Sequence, residues 1–507
     1  MRRQSFRSTS AVFVGLPLLI GSAALAQTGT VQPFSQSEKT QGAEAHSQIM
    51  QEFGGAYEGA QASYVRTVGQ NVAVQSGLST NRADFTVTLL NSPVNNAFAL
   101  PGGYIYCTRQ LMALMNNEAE LGGVLSHELG HTVARHSRQR ARAATRNSLL
   151  GILGTIAGGL LGDNGGLLGS LGGVLQGRSM QAAQLATLSF SRSQETQADD
   201  LGIRYINGAG YDPMAMSTVL ASLAAQNSLD VRVTGQDARS IPAWASTHPD
   251  PASRVRRAQS GAAALRVTNG RTNRDAFLAA LDNVLYADDP HQGVVEGQQF
   301  LHPDLKLALS VPNGYGMQNG TTALSVSGAG GQAQFTTGAY AGDLDAYVRQ
   351  AFAAVAGQGQ QATTGAAAQP AVTLGAIQRT TINGLPAAYA SARATTQSGQ
   401  VDLTIFAYEF ARDRAYHFAV LTPANGATVF QPMFNSVRRL SDAEARAIRP
   451  RRIDVVTVRN GDTMQSLASR MAYSNFQLER FQVLNALTAT SRLTAGQKVK
   501  LVIYTAS

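Results

Sequence analysis

From Gln41 to Val74 the apolar residues recur at helical spacing with an interruption at Gly54 and Gly55, which predicts two helices in succession. "FTVTLL", Phe85 to Leu90, alternates with the period of two that marks a strand. "NAFALPGGYIYCT", Asn96 to Thr108, reads as two short strands around a Pro-Gly-Gly turn. The next period is helical. Asn116 or Asn117 can cap it, and Glu118 and Glu120 fall where they favour the helix dipole. This helix carries "NEAELGGVLSHELGHTVARHS", and a later one carries "SFSRSQETQADDLGIRYINGAGYDP", ending at Gly208 and Gly210. Between them, Leu149 to Gln176 is apolar and glycine-rich, with each half too short to span a bilayer. It is read as a mobile hairpin near the active site, with a dip into a membrane as the alternative.

From about Gln292 the pattern changes to alternating short strands, "LKLALSV", "AQFTTGAY", "DLTIFAYEF" and "AYHFAVLT". One helix, "DLDAYVRQAFAAVAG", lies among them, and a Gly/Gln/Ala/Thr-rich linker covers Gly357 to Gln369. This predicts a separate α+β domain without a cluster of catalytic residue types. His291, His302 and His417 are isolated there and expected to be structural. After the basic linker "RAIRPRRIDVV", a compact unit reads strand, helix, helix, strand.

The first residues change the picture by adding an address. Arg2, Arg3 and Arg7 precede an apolar run from Ala11 to Leu19, and Ala24-Leu25-Ala26 forms an A-x-A cleavage signal. That is the pattern of a secretory signal peptide, with too short an apolar run for a spanning helix. The chain has 507 residues, one cysteine and a formal charge of +9, of which the signal supplies three. The excess is spread along the chain, which argues for solubility and weak attraction to anionic envelope surfaces, and against nucleic-acid binding. A single cysteine, Cys107, excludes an internal disulfide and a cysteine-based zinc site; its apolar surroundings predict burial. Export without disulfides fits a bacterial periplasm.

The chemistry centres on "SHELGH", Ser126 to His131. Four residues of α-helix advance roughly 400°, so His127 and His131 point about 40° apart and one turn separated, able to reach one Zn²⁺. Glu128 leans past that point, placed to take a proton from a water acidified by the metal. The metzincin pattern needs glycine and histidine at 134 and 137, where this chain has Ala134 and Ser137. His136, nine residues after His127, projects about 180° away from it and is expected at the surface. A third ligand must come from elsewhere. Glu195 and Asp199, in "SRSQETQADDLG", share a helix face. They are a metal ligand and a carboxylate orienting a ligand histidine, or simply two exposed acids.

"NAFALPGGYIYCTRQLM", "NEAELGGVLSHELGHTVARHS", "SRSQETQADDLG" and "STHPDPASRVRR" occur in this order from about Gln41 to Arg257. Together they resemble the HtpX/BepA-like gluzincin metalloproteases, relatives of the CAAX prenyl proteases. The resemblance implies one Zn²⁺ per chain, held by His127, His131 and Glu195, with Asp199 as the motif aspartate and Gln197 where a second glutamate is usual. It also implies Glu128 as general base and Arg254 paired with an active-site carboxylate. His248 would stabilise the oxyanion or occupy the open metal position as a latch; a plain turn histidine before Pro249 is the alternative. Asn96, Ala97, Phe98 and Ala99, continuing to Leu100, would bind an extended substrate by strand addition.

The final unit resembles a LysM domain over Val455 to Tyr504, which implies peptidoglycan binding or a structural module that holds the protease in position. The α+β domain resembles small sheet-plus-helix domains of the PsbP-like kind. The expected architecture is therefore multidomain. A signal peptide (1–26) precedes a mainly α-helical zincin protease domain with a small edge β-sheet (27–290), an α+β domain (291–445) and a small βααβ LysM-like domain (450–507). The expected function is a periplasmic zinc endopeptidase cleaving unfolded or misassembled envelope proteins. Its partners would be extended polypeptides, peptidoglycan, and the outer membrane or its assembly machinery in peripheral contact, with no nucleic acid. The alternative is a non-catalytic chaperone or peptidoglycan-binding protein with a structural zinc.

Overall fold

The computed structural model describes residues 31–139, 190–234, 248, 251–361, 374–396 and 399–505. The expected signal peptide and the glycine-rich stretch from Leu149 to Gln176 lie outside the described residues. α1 (Gln36–Glu52) starts at a capping box, in which Ser35 accepts from the Glu38 backbone N–H and the Glu38 carboxylate returns the contact. It is followed by α2 (Ala60–Ala73). Next come β1 (Thr86–Leu90), β2 (Ala97–Leu100) and β3 (Tyr104–Thr108), in a sheet of order β1-β3-β2. β1 runs parallel to β3, while β2 and β3 form the expected antiparallel hairpin. At the hairpin turn Gly102 has φ +90°, and a Cβ there would lie 2.7 Å from the Glu38 carbonyl oxygen, so glycine is required.

α3 (Arg109–Leu114) leads directly to α4 (Glu118–Val133), whose cap is Asn117, accepting from the Glu120 N–H at 2.9 Å. Every residue of α4 from Ala119 to His131 is buried, so this helix is the axis of the domain. Around it pack α2, β2, α5 (Arg192–Gly208) and α6 (Ala215–Thr234). α7 (Pro251–Ala264) covers α5 and α6, and α8 (Arg274–Leu281) and the two-residue strand β4 (Leu285–Tyr286) close the chain's first part. Among the described residues no helix is long and apolar enough to cross a membrane.

The next part is built on antiparallel sheets. β5 (Val294–Glu296), β6 (Gln299–His302) and β7 (Leu307–Ser310) join the later strand Arg438–Arg439 in a four-stranded sheet. β8 (Gly316–Asn319), β9 (Leu324–Gly328), β10 (Gly331–Thr337), β11 (Gln378–Ile382), β12 (Leu385–Thr396), β13 (Gly399–Ala411) and β14 (Arg414–Pro423) make a seven-stranded one. Alternation along β13 sends Ile405 and Ala407 to the face covered by α9 (Leu344–Gln361). Phe406 and Tyr408 face the other core, with β7 and α10 (Gln431–Ser436). Two differences from expectation follow. β12 and β13 are long strands, and α9 runs as far as Gln361 into the stretch expected as linker.

β15 (Arg438–Arg439) and α11 (Asp442–Ala447) lead to β16 (Arg451–Thr457), α12 (Met464–Ala468), α13 (Gln477–Leu484) and β17 (Lys498–Tyr504), the expected βααβ order. This unit does not stand apart. β4 pairs antiparallel with β16 to give a sheet of order β17-β16-β4, and α13 packs on α6. Lys500 of β17 is fully buried, and its ammonium donates to the carbonyls of Ala113, Leu114 and Met115 at 2.9, 3.4 and 2.6 Å. It thereby satisfies the carbonyl end of α3.

Candidate metal centre

The centre forms where α4 crosses α5. Glycines set the approach: a Cβ on Gly130 would lie 2.9 Å from the Ala198 carbonyl oxygen, and one on Gly202 would lie 3.2 Å from the His127 nitrogen. Only hydrogen at these positions lets the two backbones come so close. The crossing brings His127, His131 and Glu195 together, and His248 joins them from the chain just before α7; their donor atoms all lie within 4.8 Å of one another. His127 Nε2 and His131 Nε2 are 3.0 Å apart. Glu195 Oε1 lies 3.4 Å from His131 Nε2, and Oε2 lies 3.6 Å from His127 Nε2. His248 Nδ1 is 3.1 Å from Glu195 Oε1 and 3.2 Å from His127 Nε2. Of the two readings of Glu195 and Asp199, the exposed pair is ruled out: both are buried.

Hydrogen-bond chemistry orients these rings inward. Asp199 Oδ1 lies 3.0 Å from His127 Nδ1 and accepts its proton, leaving Nε2 to face the cluster. Arg254 spans both carboxylates, donating from Nε to Asp199 Oδ2 at 2.8 Å and from Nη1 to Glu195 Oε2. Glu195 Oε1 is thereby the oxygen turned to His131 and His248. Two imidazole nitrogens and a carboxylate oxygen converging in a buried space suit a divalent metal with nitrogen and oxygen ligands.

The titration behaviour agrees. Burial would raise the Glu195 carboxyl, but His248 and the imidazoles of His127 and His131 outweigh it and hold the carboxyl well below its usual range. Burial opposes protonation of His127, yet Asp199 and Glu195 win and raise it to about 9, so a proton on Nε2 does there what a cation would. His131 is pushed well below its usual value, chiefly by burial. Burial also raises the Glu128 carboxyl, the direction that suits a group which must take up a proton. Its Oε1 lies 3.5 Å from His248 Nε2.

One expectation fails. His136 is fully buried, with Nδ1 2.9 Å from His131 Nδ1 and Nε2 3.0 Å from Gln197 Oε1. α4 does not continue through it: Arg135 adopts a left-handed φ of +54°, which turns the chain back, and Arg135 pairs with Glu38 of α1. His136 therefore lies inside, against His131, and not at the surface expected from helical spacing. Phe190 was also unforeseen; its ring stacks on His131 with centroids 3.6 Å apart. Cys107 is buried as expected, and burial pushes its thiol up to about 12. Asn96 to Ala99 lie at and along β2, which packs against α4, and no described strand pairs with its far edge.

Residues 59–262, which include every member of this cluster, match peptidase family M48, and residues 456–502 match the LysM domain. The chain thus carries a peptidase family M48 domain followed by a LysM domain. It is similar to the beta-barrel assembly-enhancing protease of Escherichia coli O157:H7, 30% identical over 216 residues, or 43% of this chain and 42% of that protein. The protein of the same name in Yersinia pestis is 29% identical over 227 residues, 44% of each chain. The mitochondrial metalloendopeptidase OMA1 of Schizosaccharomyces pombe is 29% identical over 224 residues, 43% of this chain and 59% of that one. The chain spans under half the length of the two bacterial relatives.

Proposed function

We propose that this chain is a zinc-dependent endopeptidase of envelope protein quality control, exported to the periplasm, that cleaves unfolded or misassembled polypeptides. The observation that carries the reading is the buried convergence of His127 Nε2, His131 Nε2 and Glu195 Oε1 beside the carboxylate of Glu128. His127, His131 and Glu195 would hold one zinc. When bound, zinc supplies Lewis acidity, lowering the pKa of water and stabilising negative charge on the scissile carbonyl oxygen.

Glu128 takes the proton from the attacking water and delivers it to the leaving amine, a role for which a carboxyl raised by burial is suited. Asp199 fixes the His127 tautomer, and Arg254 holds Asp199 and one oxygen of Glu195, so that the ligands keep one orientation. His248 acts as a resting latch: its Nδ1 stands in the donor cluster and its Nε2 faces the base, which supports this role over oxyanion stabilisation in the present conformation. Substrate enters as an extended strand added to β2, through the backbone from Asn96 to Ala99. This suits unfolded segments, since a compact domain cannot present a bare strand.

The names of the bacterial relatives suggest work near the outer membrane and its assembly machinery, and the LysM domain suggests contact with peptidoglycan. Purified Glu128→Gln protein tests the catalytic reading. It should hold as much zinc as the parent chain yet lose cleavage of unfolded casein. Equal cleavage by both proteins would refute the endopeptidase mechanism and leave the non-catalytic alternative.

A further inference from the structure

A neutral imidazole that binds a metal through Nε2 must keep its proton on Nδ1, and that proton needs an acceptor. For His127 the acceptor is Asp199. For His131 the partner is a second imidazole: among the described residues, the atom 2.9 Å from its Nδ1 is Nδ1 of His136. Two imidazole nitrogens at that distance share one proton, and which ring owns it depends on what holds His136 from its other side. There, Gln197 Oε1 lies 3.0 Å from His136 Nε2. An amide oxygen only accepts, so His136 carries its proton on Nε2, presents a bare Nδ1, and must accept from His131 Nδ1–H. The consequence is a bare His131 Nε2 facing His127 and Glu195. If the amide were reversed, its NH₂ would donate to His136 Nε2, His136 would donate to His131, and the proton would sit on His131 Nε2, where it blocks a metal.

We infer that His136, just beyond α4, and Gln197 of α5 form a relay that positions His131 and sets its metal-binding tautomer, rather than being packing residues where the two helices meet. The inference rests on the zinc reading given above. Its geometry has a clear origin: the left-handed turn at Arg135 folds His136 back over His131, and the α4–α5 crossing places Gln197 two residues after Glu195 to meet it. His131 is thus clamped on one ring edge by the relay and on one face by Phe190.

The test uses the full chain and two readouts besides activity: the zinc dissociation constant by chelator competition, and the visible spectrum of the Co²⁺-substituted protein. His136→Leu and Gln197→Met each should weaken zinc binding about 10–100-fold, the cost usual for removing a partner of a metal-ligating histidine. Each should also shift the cobalt bands. Gln197→Glu supplies an oxygen that can only accept, so it should bind zinc at least as tightly as the parent chain; this variant separates the relay from simple loss of packing. If Gln197→Met and His136→Leu keep parental affinity and spectrum, or Gln197→Glu weakens zinc as much as Gln197→Met does, the relay is wrong. A parent chain that binds no zinc would instead refute the zinc reading, and the relay with it.

Discussion

Gly130 of α4 faces Ala198 of α5 so closely that a Cβ on the glycine would lie 2.9 Å from the Ala198 carbonyl oxygen and 3.0 Å from its Cα. Backbone atoms cannot swing aside as a flexible side chain can. Gly130→Val should therefore push α5 outward, moving Glu195 from the two imidazoles and costing about 1–3 kcal/mol of stability. The expected result is a folded protein that retains less zinc per chain, with a lower melting temperature. Full zinc content in Gly130→Val would contradict the claim that this crossing sets the ligand geometry.

The far edge of β2, which no described strand pairs, gives a second prediction. Asn96 O accepts from Thr108 N at 3.0 Å, so antiparallel alternation gives Phe98 and Leu100 the bonds to β3 and turns the N–H and C=O of Ala97 and Ala99 outward. Ala99→Pro removes an outward donor without removing a bond to β3. Cleavage of an extended peptide should fall about tenfold in kcat/KM with zinc content unchanged. Unaltered kinetics would mean that substrate does not add to this edge.

The LysM unit is fastened by Lys500 to the domain that carries the cluster of His127, His131 and Glu195. Burial lowers the pKa of its ammonium to about 7, and nearby Glu120 opposes the shift. The three carbonyls it serves are the carbonyl end of α3 and its continuation. Lys500→Ala leaves them without that donor in a buried space, which should cost about 2 kcal/mol or more. The check is chemical denaturation of the whole chain. A variant as stable as the parent would show that the contact contributes nothing to holding the two parts together.

His417 sets a pH dependence in the sheet domain. It is buried, bonded through Nδ1 to Tyr347, and burial lowers its pKa to about 4 from 6.5. The unfolded chain binds the proton more tightly, so the stability this group permits is fully present above about pH 6.5 and is lost as pH falls through about 4. The shift corresponds to about 3 kcal/mol across that window. His417→Gln should flatten the stability curve of this domain between pH 6.5 and 4, measured by urea denaturation. A slope unchanged by the substitution would assign it to other groups.

α4 stood in plain view in the sequence because the residues around His127 and His131 are mostly apolar or glycine, the composition of a helix buried all round, and the two histidines fall one turn apart within it. The β2–β3 hairpin was equally readable, since Pro101-Gly102-Gly103 demands a turn. His136 was not. Nothing in Ala134-Arg135 announces a left-handed residue, because the turn is held by a distant partner, Glu38, rather than by a glycine. The docking of the LysM unit was hidden for a related reason. β4 is two residues long and Lys500 looks like any strand-surface lysine until α3 is placed against it. Contacts between residues far apart in the chain leave no periodic trace.

The central claim is that one metal sits where two imidazoles of α4 meet the carboxylate of Glu195. Crystals of the full chain grown with zinc, with anomalous diffraction recorded above and below the zinc edge, test it directly. The account predicts one strong peak about 2.0–2.2 Å from His127 Nε2, His131 Nε2 and a Glu195 oxygen. A map with no peak there, or with the ion bound at a place that leaves Glu195 unused, would contradict it.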